Sequence, residues 1–270
     1  MASKSQSKGG GVLELLKTIF YALLLAGLIR TLLFQPFWIP SSSMKPTLLI
    51  GDFLFVNKFA YGYSWNSCPA FGTFNICSAL KDSEGRLFGS EPERGDVVVF
   101  RQPERGIDFI KRIVGMPGDR IQMLNGQVFL NGTPVPREQV EDFVEVFERQ
   151  GPENRTPLCK NRTVGLGAEC LKDQFVETLP NGLAHNTLSW RASATDNTRE
   201  FVVPEGQYFF VGDNRDNSTD SRFLPVSGGL GFVPIEDFVG RADRIIFSSA
   251  GSSLFFVWTW RADRLMKAVN

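Results

Sequence analysis

Asp108-Phe-Ile-Lys-Arg-Ile-Val-Gly-Met-Pro-Gly-Asp119 is the stretch on which the reading of the fold turns. After Asp108 the next six residues, Phe109 to Val114, are apolar or basic, and Gly-Met-Pro-Gly then ends the run. A run this short, rich in Ile and Val and closed by Gly and Pro, reads as a β-strand. In a strand Phe109, Lys111 and Ile113 share one face, and Ile110, Arg112 and Val114 the other. Lys111 is then flanked by two apolar side chains. Burial there disfavours the ammonium and lowers its pKa from an ordinary value of about 10.4. Two readings follow: a lysine neutral enough to take a proton from a serine, or a strand-edge lysine reaching solvent.

Similar short runs lie on either side: Asp52–Lys58, Asp96–Arg101, Gln127–Leu130, Gln207–Val211 and Arg244–Ser248. Asn131-Gly132 after Phe129-Leu130 reads as a hairpin turn. No long amphipathic helix stands out beyond the first 34 residues, so the expected fold is mainly β. Residues 137–200 carry weaker apolar runs and many Asn, Thr, Glu and Arg residues. The expected organisation is a discontinuous β domain, 35–122 with 204–270, interrupted by an inserted β-rich subdomain at 123–203.

The N-terminus is different. Residues 1–11 are polar and read as a flexible cytoplasmic tail. Val12 to Phe34 is strongly apolar, and as a helix it reaches about 34 Å, enough for a bilayer core of roughly 30 Å. Arg30 near its far end is placed to snorkel to headgroups. Lys4 and Lys8 put the short end in the cytoplasm and the bulk of the chain outside. Three readings compete, a cleaved signal peptide, a buried core helix and a membrane anchor; the expectation is a transmembrane anchor at 12–34, since no small-x-small cleavage site follows the apolar run.

Composition narrows the chemistry. The chain has 270 residues, 29 basic and 29 acidic groups and a single histidine, His185. Zero net charge argues against nucleic-acid binding. One histidine excludes a multi-histidine metal site. His185 lies in polar Asn181–Ser189 and is expected at the surface. The four cysteines fall into close pairs, Cys68 with Cys77 and Cys159 with Cys170, which in an exported domain read as small disulfide loops.

Two further stretches carry candidate chemistry. Pro40-Ser-Ser-Ser-Met-Lys-Pro46 holds a serine cluster between two prolines, which is either a rigid perch for a nucleophile or a linker. Gly212-Asp-Asn-Arg-Asp-Asn-Ser-Thr-Asp-Ser-Arg222 is dense in groups that bond their own backbone and reads as a tight loop braced by Asp–Arg pairs. It is not an EF-hand: Ser218 and Leu224 stand where Gly and Glu are required.

Taken together, Pro40–Thr47 with Gly51-Asp52, Arg94–Phe100, Lys111-Arg112 with Gly115–Asp119, and Gly212–Arg222 resemble the bacterial type I signal peptidases. The motifs occur in that family's order behind an N-terminal anchor. The resemblance implies a Ser–Lys dyad with Ser43 as nucleophile and Lys111 as general base. It implies an oxyanion hole from the Ser41 hydroxyl and the Ser43 N–H, and a Lys111-orienting role for Ser218. Phe37, Ile39, Val99, Asp108 and Ile110 fall where family residues line or border the pockets for small substrate residues. Asp213, Arg215, Asp220 and Arg112 match site-bracing positions.

The implied activity is cleavage of signal peptides from exported preproteins after a small-x-small (Ala-x-Ala) site, through an acyl-enzyme, with no metal and no cofactor. The implied partners are preproteins, the lipid bilayer and, transiently, the export translocon. The implied location is the bacterial inner membrane, single-pass, with the catalytic domain on the periplasmic side. Two departures stand out: a single anchor segment where some members have two, and a longer loop at 223–230 expected near the site. Leu254–Trp260 reads as a last strand or as an apolar patch on lipid. The rival readings are another Ser–Lys protease, such as a self-cleaving repressor or a pilus-maturation peptidase, and a catalytically inactive membrane-anchored β module that binds exported peptides.

Overall fold

The computed structural model describes residues 9–64, 70–71, 74–75, 86–102, 105–161, 165–251 and 256–269. Cys68, Cys77, and Leu254 and Phe255 of the Leu254–Trp260 stretch lie outside the described residues, as does the side chain of Arg30. The elements used below are helix α1 (Gly9–Leu32) and strands β1 (Phe34–Trp38), β2 (Asp52–Asn57), β3 (Val97–Gln102), β4 (Ile107–Gly115), β5 (Arg120–Leu124), β6 (Gln127–Leu130), β7 (Phe143–Val146), β8 (Glu169–Thr178), β9 (Ala184–Ser189), β10 (Gln207–Val211) and β11 (Phe238–Ser248).

The architecture is mainly β, as the alternation of short apolar runs and turns requires. The principal antiparallel sheet runs β1-β2-β11-β3-β4-β10 and ends on Val233–Pro234. β11 is its spine, pairing with β2, β3 and the short strand Lys267–Ala268. Val97-Val98-Val99-Phe100 is buried throughout because both faces of β3 are covered. Val97 and Val99 pack with Ile39, Met44, Leu48 and Leu54. Val98 and Phe100 pack on the opposite side with Ile113, Phe210 and Phe238. Each such side chain, fully buried, contributes roughly 1.5–3 kcal/mol.

A second sheet sits in the 137–189 region, where β8 pairs with β7, β9 and Arg137–Gln139. A third links Phe201–Val202, β5, β6 and Thr133–Pro134. The hairpin after β6 turns on Asn131 and Gly132, both at positive φ, as the Asn-Gly pair requires. A third apolar cluster joins Ile121, Met123, Val128 and Leu179 to Val114, Phe209 and Val211 of β4 and β10. The 122/123 boundary therefore falls inside β5, whose side chains share one core with the main sheet. The disulfide Cys159–Cys170 closes a loop on β8.

α1 stands apart. Residues 11–29 have a mean hydropathy of 2.0 and none of that window is buried in the protein. A helix apolar on every side and uncovered by protein is not stable in water. The helix hands directly to the edge strand: Leu33 N–H still bonds the Ile29 carbonyl, while Lys58 N–H bonds the Leu33 carbonyl. At the other end of the chain, Val257–Thr259 forms a single 3₁₀ turn. Trp258 there is 77% exposed, while Trp260 packs edge-on against Phe247.

Candidate active site

The serine loop leaves β1 at Ile39 and returns to β2 at Asp52. Its floor is an ion pair far apart in sequence. Asp52 takes two bonds from Arg264, at 3.0 Å to Nε and 2.5 Å to Nη2, and one from Ser248 Oγ at 2.6 Å. Arg264 also donates to the Thr47 carbonyl at 2.9 Å. The tight loop expected over 212–222 does form, and it is stitched to the serines. Asn214 N–H donates to the Ser43 carbonyl, Asn214 Nδ2 to the Ser42 carbonyl and Asn217 Nδ2 to Ser42 Oγ. Gly212 has to be glycine here: a Cβ would lie 2.2 Å from Ser218 Oγ and 2.7 Å from the Ser43 carbonyl oxygen.

β4 brings Lys111 to this loop. Lys111 Nζ lies 2.7 Å from Ser43 Oγ and 2.8 Å from the Ile110 carbonyl oxygen. Both side chains are buried. Burial pushes the Lys111 pKa down to about 8; Asp220 and Asp213 pull it upward through space, and Arg222 opposes them. Ser41 Oγ lies 3.3 Å from Ser43 Oγ, with its side chain exposed to the cleft. Ser218 is buried with its hydroxyl close against Gly212, and that oxygen has no hydrogen-bond partner among the described residues. The bonds described for Lys111 go to Ser43 and Ile110, not to Ser218.

The other expected residues are placed as follows. Arg112, fully buried, grips Asp213 through two parallel bonds of 2.9 and 2.8 Å and also donates to the Gly95 carbonyl. Burial opposes ionisation of Asp213, but Arg112 and the Thr47 hydroxyl hold its pKa below the ordinary value. Asp220 pairs with Arg222 inside the loop, and Arg215 reaches out of it to Glu177 at 2.7 Å. The bracing is thus only partly internal to the loop. Ile39 and Val99 are buried beside Met44, and Phe37 and Ile110 pack on the same cluster. Asp108 sits at the sheet edge, 4.0 Å from Arg101, and burial raises its pKa.

One expectation is overturned. His185 is not on the surface: it is 4% exposed, between Glu177 at 3.6 Å and Asp213 at 3.9 Å. Burial, reinforced by Arg112, lowers its pKa to about 4, so it is neutral at ordinary pH. The 223–230 loop also lies elsewhere. It borders a separate cavity with Phe100–Gln102, and none of its residues lines the cleft at Ser43.

Several residues of the site were not anticipated. Asn214 and Asn217 lay inside a quoted motif, where their Asx character was the available signal. Lys45, two residues after Ser43, is buried and paired with Glu145 of β7. Nothing local in the sequence points from one to the other. Among the described residues, no group of three or more His, Cys, Asp or Glu side chains is arranged to hold a metal ion.

The family model described as "Signal peptidase, peptidase S26" matches residues 12–247. The chain belongs to the signal peptidase family, peptidase S26. It is a serine-type peptidase of a family that cleaves signal peptides. Among curated signal peptidases, it is 38% identical over 239 residues to signal peptidase I of Rickettsia typhi, covering 85% of this chain and 78% of that protein. It is 38% identical over 237 residues to signal peptidase I of Rickettsia prowazekii, with the same two coverages. A signal peptidase I crystal structure from Enterococcus faecalis is 23% identical, covers 56% of this chain and 97% of that one, and superposes with a TM-score of 0.29. Membership in the signal peptidases and the apolar helix Gly11–Ile29 are together compatible with a single-pass membrane anchor.

Proposed function

We propose that the chain cleaves signal peptides from exported preproteins by a Ser43–Lys111 dyad. The observation that carries this reading is the 2.7 Å approach of Lys111 Nζ to Ser43 Oγ, both buried, with the lysine pKa lowered to about 8. A neutral Lys111 takes the Ser43 hydroxyl proton as Oγ attacks the scissile carbonyl. The developing oxyanion is received by the Ser43 N–H and the Ser41 hydroxyl, donors that each contribute about 10²–10³ in rate. The protonated Lys111 then passes its proton to the leaving amine. Water, deprotonated by Lys111, attacks the acyl-enzyme and frees Ser43.

Ser218 and the Asp220–Arg222 and Asp213–Arg112 pairs act behind the dyad by fixing the loop against which Lys111 rests. Phe37, Ile39, Val99 and Ile110, grouped around Met44, favour small residues at the first and third positions before the cut, with Asp108 at the rim. Residues 35–122 and 204–270 form the catalytic unit, and 123–203 an insertion; the separate sheet around β8 supports an inserted subdomain, while β5 and β6 at its start pack on the core of the main sheet. α1 anchors the chain once in the bacterial inner membrane with the catalytic unit on the periplasmic side. Lys4 and Lys8 on the short N-terminal end support that orientation. The lipid bilayer and, transiently, the export translocon are its partners.

The test is incubation of the purified full chain with a precursor whose signal ends in Ala-x-Ala, followed by sequencing of the new N-terminus. Cleavage directly after the second Ala is expected. It should vanish in Ser43→Ala; cleavage that survives there removes the dyad reading.

A further inference from the structure

The cleft at Ser43 has a volume of about 460 Å³. One wall is the serine loop and the Phe109–Lys111 segment. The facing wall is Gln150–Leu158, which belongs to the insertion and is not needed to complete the dyad. Two anchors fix this wall. At its start, Lys45 Nζ donates to Gln150 Oε1 at 2.7 Å and pairs with Glu145, and Gln150 Nε2 donates back to Glu145 at 3.1 Å. Gly151 lies so close to the serine loop that a Cβ would stand 2.9 Å from the Pro40 carbonyl oxygen. At its end, Cys159 is bonded to Cys170 on β8.

Between the anchors the chain makes a tight turn. Gln150 N–H donates to the Arg155 carbonyl and Asn154 N–H to the Gly151 carbonyl. Gly151 and Asn154 take the positive φ that this turn demands. The turn presents two charged side chains at the open side of the cleft. Arg155 and Glu153 are paired at 3.0 Å yet 81% and 66% exposed. An exposed pair is held weakly, so either partner is free to turn to a new ligand.

We infer that the Gln150–Leu158 turn is a specificity wall: it contacts the bound peptide on the mature side of the cut, and Glu153 and Arg155 discriminate peptides by charge there. The inference rests on Ser43 marking the point of cleavage. The residues assigned to the signal side, Phe37, Ile39, Val99, Asp108 and Ile110, do not line this part of the cleft. A peptide passing Ser43 therefore leaves the β1–β4 side and runs along the insertion. Charges at a rim act mainly on encounter and salt dependence, not on the chemical step.

The experiment compares two precursor peptides that are identical up to the cut and carry either Asp or Lys at the first positions after it. Full-length protein in detergent is assayed for kcat/KM at low salt. Arg155→Glu should raise the Lys-to-Asp ratio by about threefold to fivefold, and Glu153→Lys should lower it by about as much, both changes shrinking at high salt. An uncharged peptide is the reference against which both ratios are read. The same peptides are titrated for binding to the two variants carrying Ser43→Ala, where no cleavage contributes. Ratios that stay at the wild-type value, or move the same way in both variants, overturn the wall; so does a failure of the Ser43→Ala proteins to bind either peptide. Opposite shifts in binding from a wild type that cleaves nothing would leave a charge-reading wall but remove the dyad, and with it the assignment to the mature side of a cut.

Discussion

Ser43 has a buried lysine on each side of it, and the two differ in one respect. Lys111 touches a hydroxyl and a carbonyl oxygen, and the carboxylates of Asp220 and Asp213 act on it only through space. Lys45 is paired directly with Glu145, which also holds Lys172. Burial lowers the pKa of both lysines. At Lys45 the Glu145 carboxylate opposes that fall, whereas Lys111 comes down to about 8. Burial alone does not make a lysine a base. Burial without a carboxylate in contact lowers the pKa further, and the same enclosure with one makes a structural tie.

The widest separation between the two regions is expected in activity. Lys111→Ala should lower kcat on a precursor by at least about 10⁴, the scale on which acyl-transfer enzymes lose rate when the base goes. Lys45→Met should keep most of its kcat. Equal losses would abolish the distinction.

Stability should separate them in the opposite sense. Glu145→Gln strands two buried ammonium groups, and breaking such a pair costs about 3–5 kcal/mol, read as a lower urea midpoint. Lys111→Met should instead stabilise the protein at pH 6, by about 1–3 kcal/mol. The sign follows from protons: Lys111 is at about 8 in the folded chain and near the ordinary lysine value of 10.5 when unfolded. Between these values the unfolded chain binds more protons, so the wild type gains stability as pH rises. The advantage of Lys111→Met should fade over that window and be absent above it.

The smallest effect is the steepness of one limb. kcat/KM should climb about tenfold per pH unit below pH 8 and level off above it, as the lysine loses its proton. A profile flat from pH 5 to 10 would sink the base assignment.

Much of this was legible in the sequence, for physical reasons that can be named. The bounds of Gln127–Leu130 and Gln207–Val211 agree with β6 and β10 because turn residues flank apolar, β-favouring runs. Asn131-Gly132 turns where expected because both residues tolerate positive φ. His185 was misplaced because β9 turns a polar face inward. His185 and Thr187 are buried while Ala184 and Asn186 are exposed, and a period-two pattern cannot be seen when its inner members are polar. The Lys45–Glu145 tie and the Arg264–Asp52 clamp were illegible for another reason. They join residues 100 and 212 positions apart, and only the folded sheets bring them together.

The Arg264 clamp also sets an order in time. Ser43, Lys111 and Ser218 have all been synthesised long before Arg264 leaves the ribosome, yet the floor beneath Thr47 and Asp52 closes only when that arginine arrives. A nascent chain therefore carries Ser43 and Lys111 before the strut beneath Thr47 and Asp52 can form. The floor beneath the serine loop is thus closed by a residue made 212 positions after the aspartate it holds.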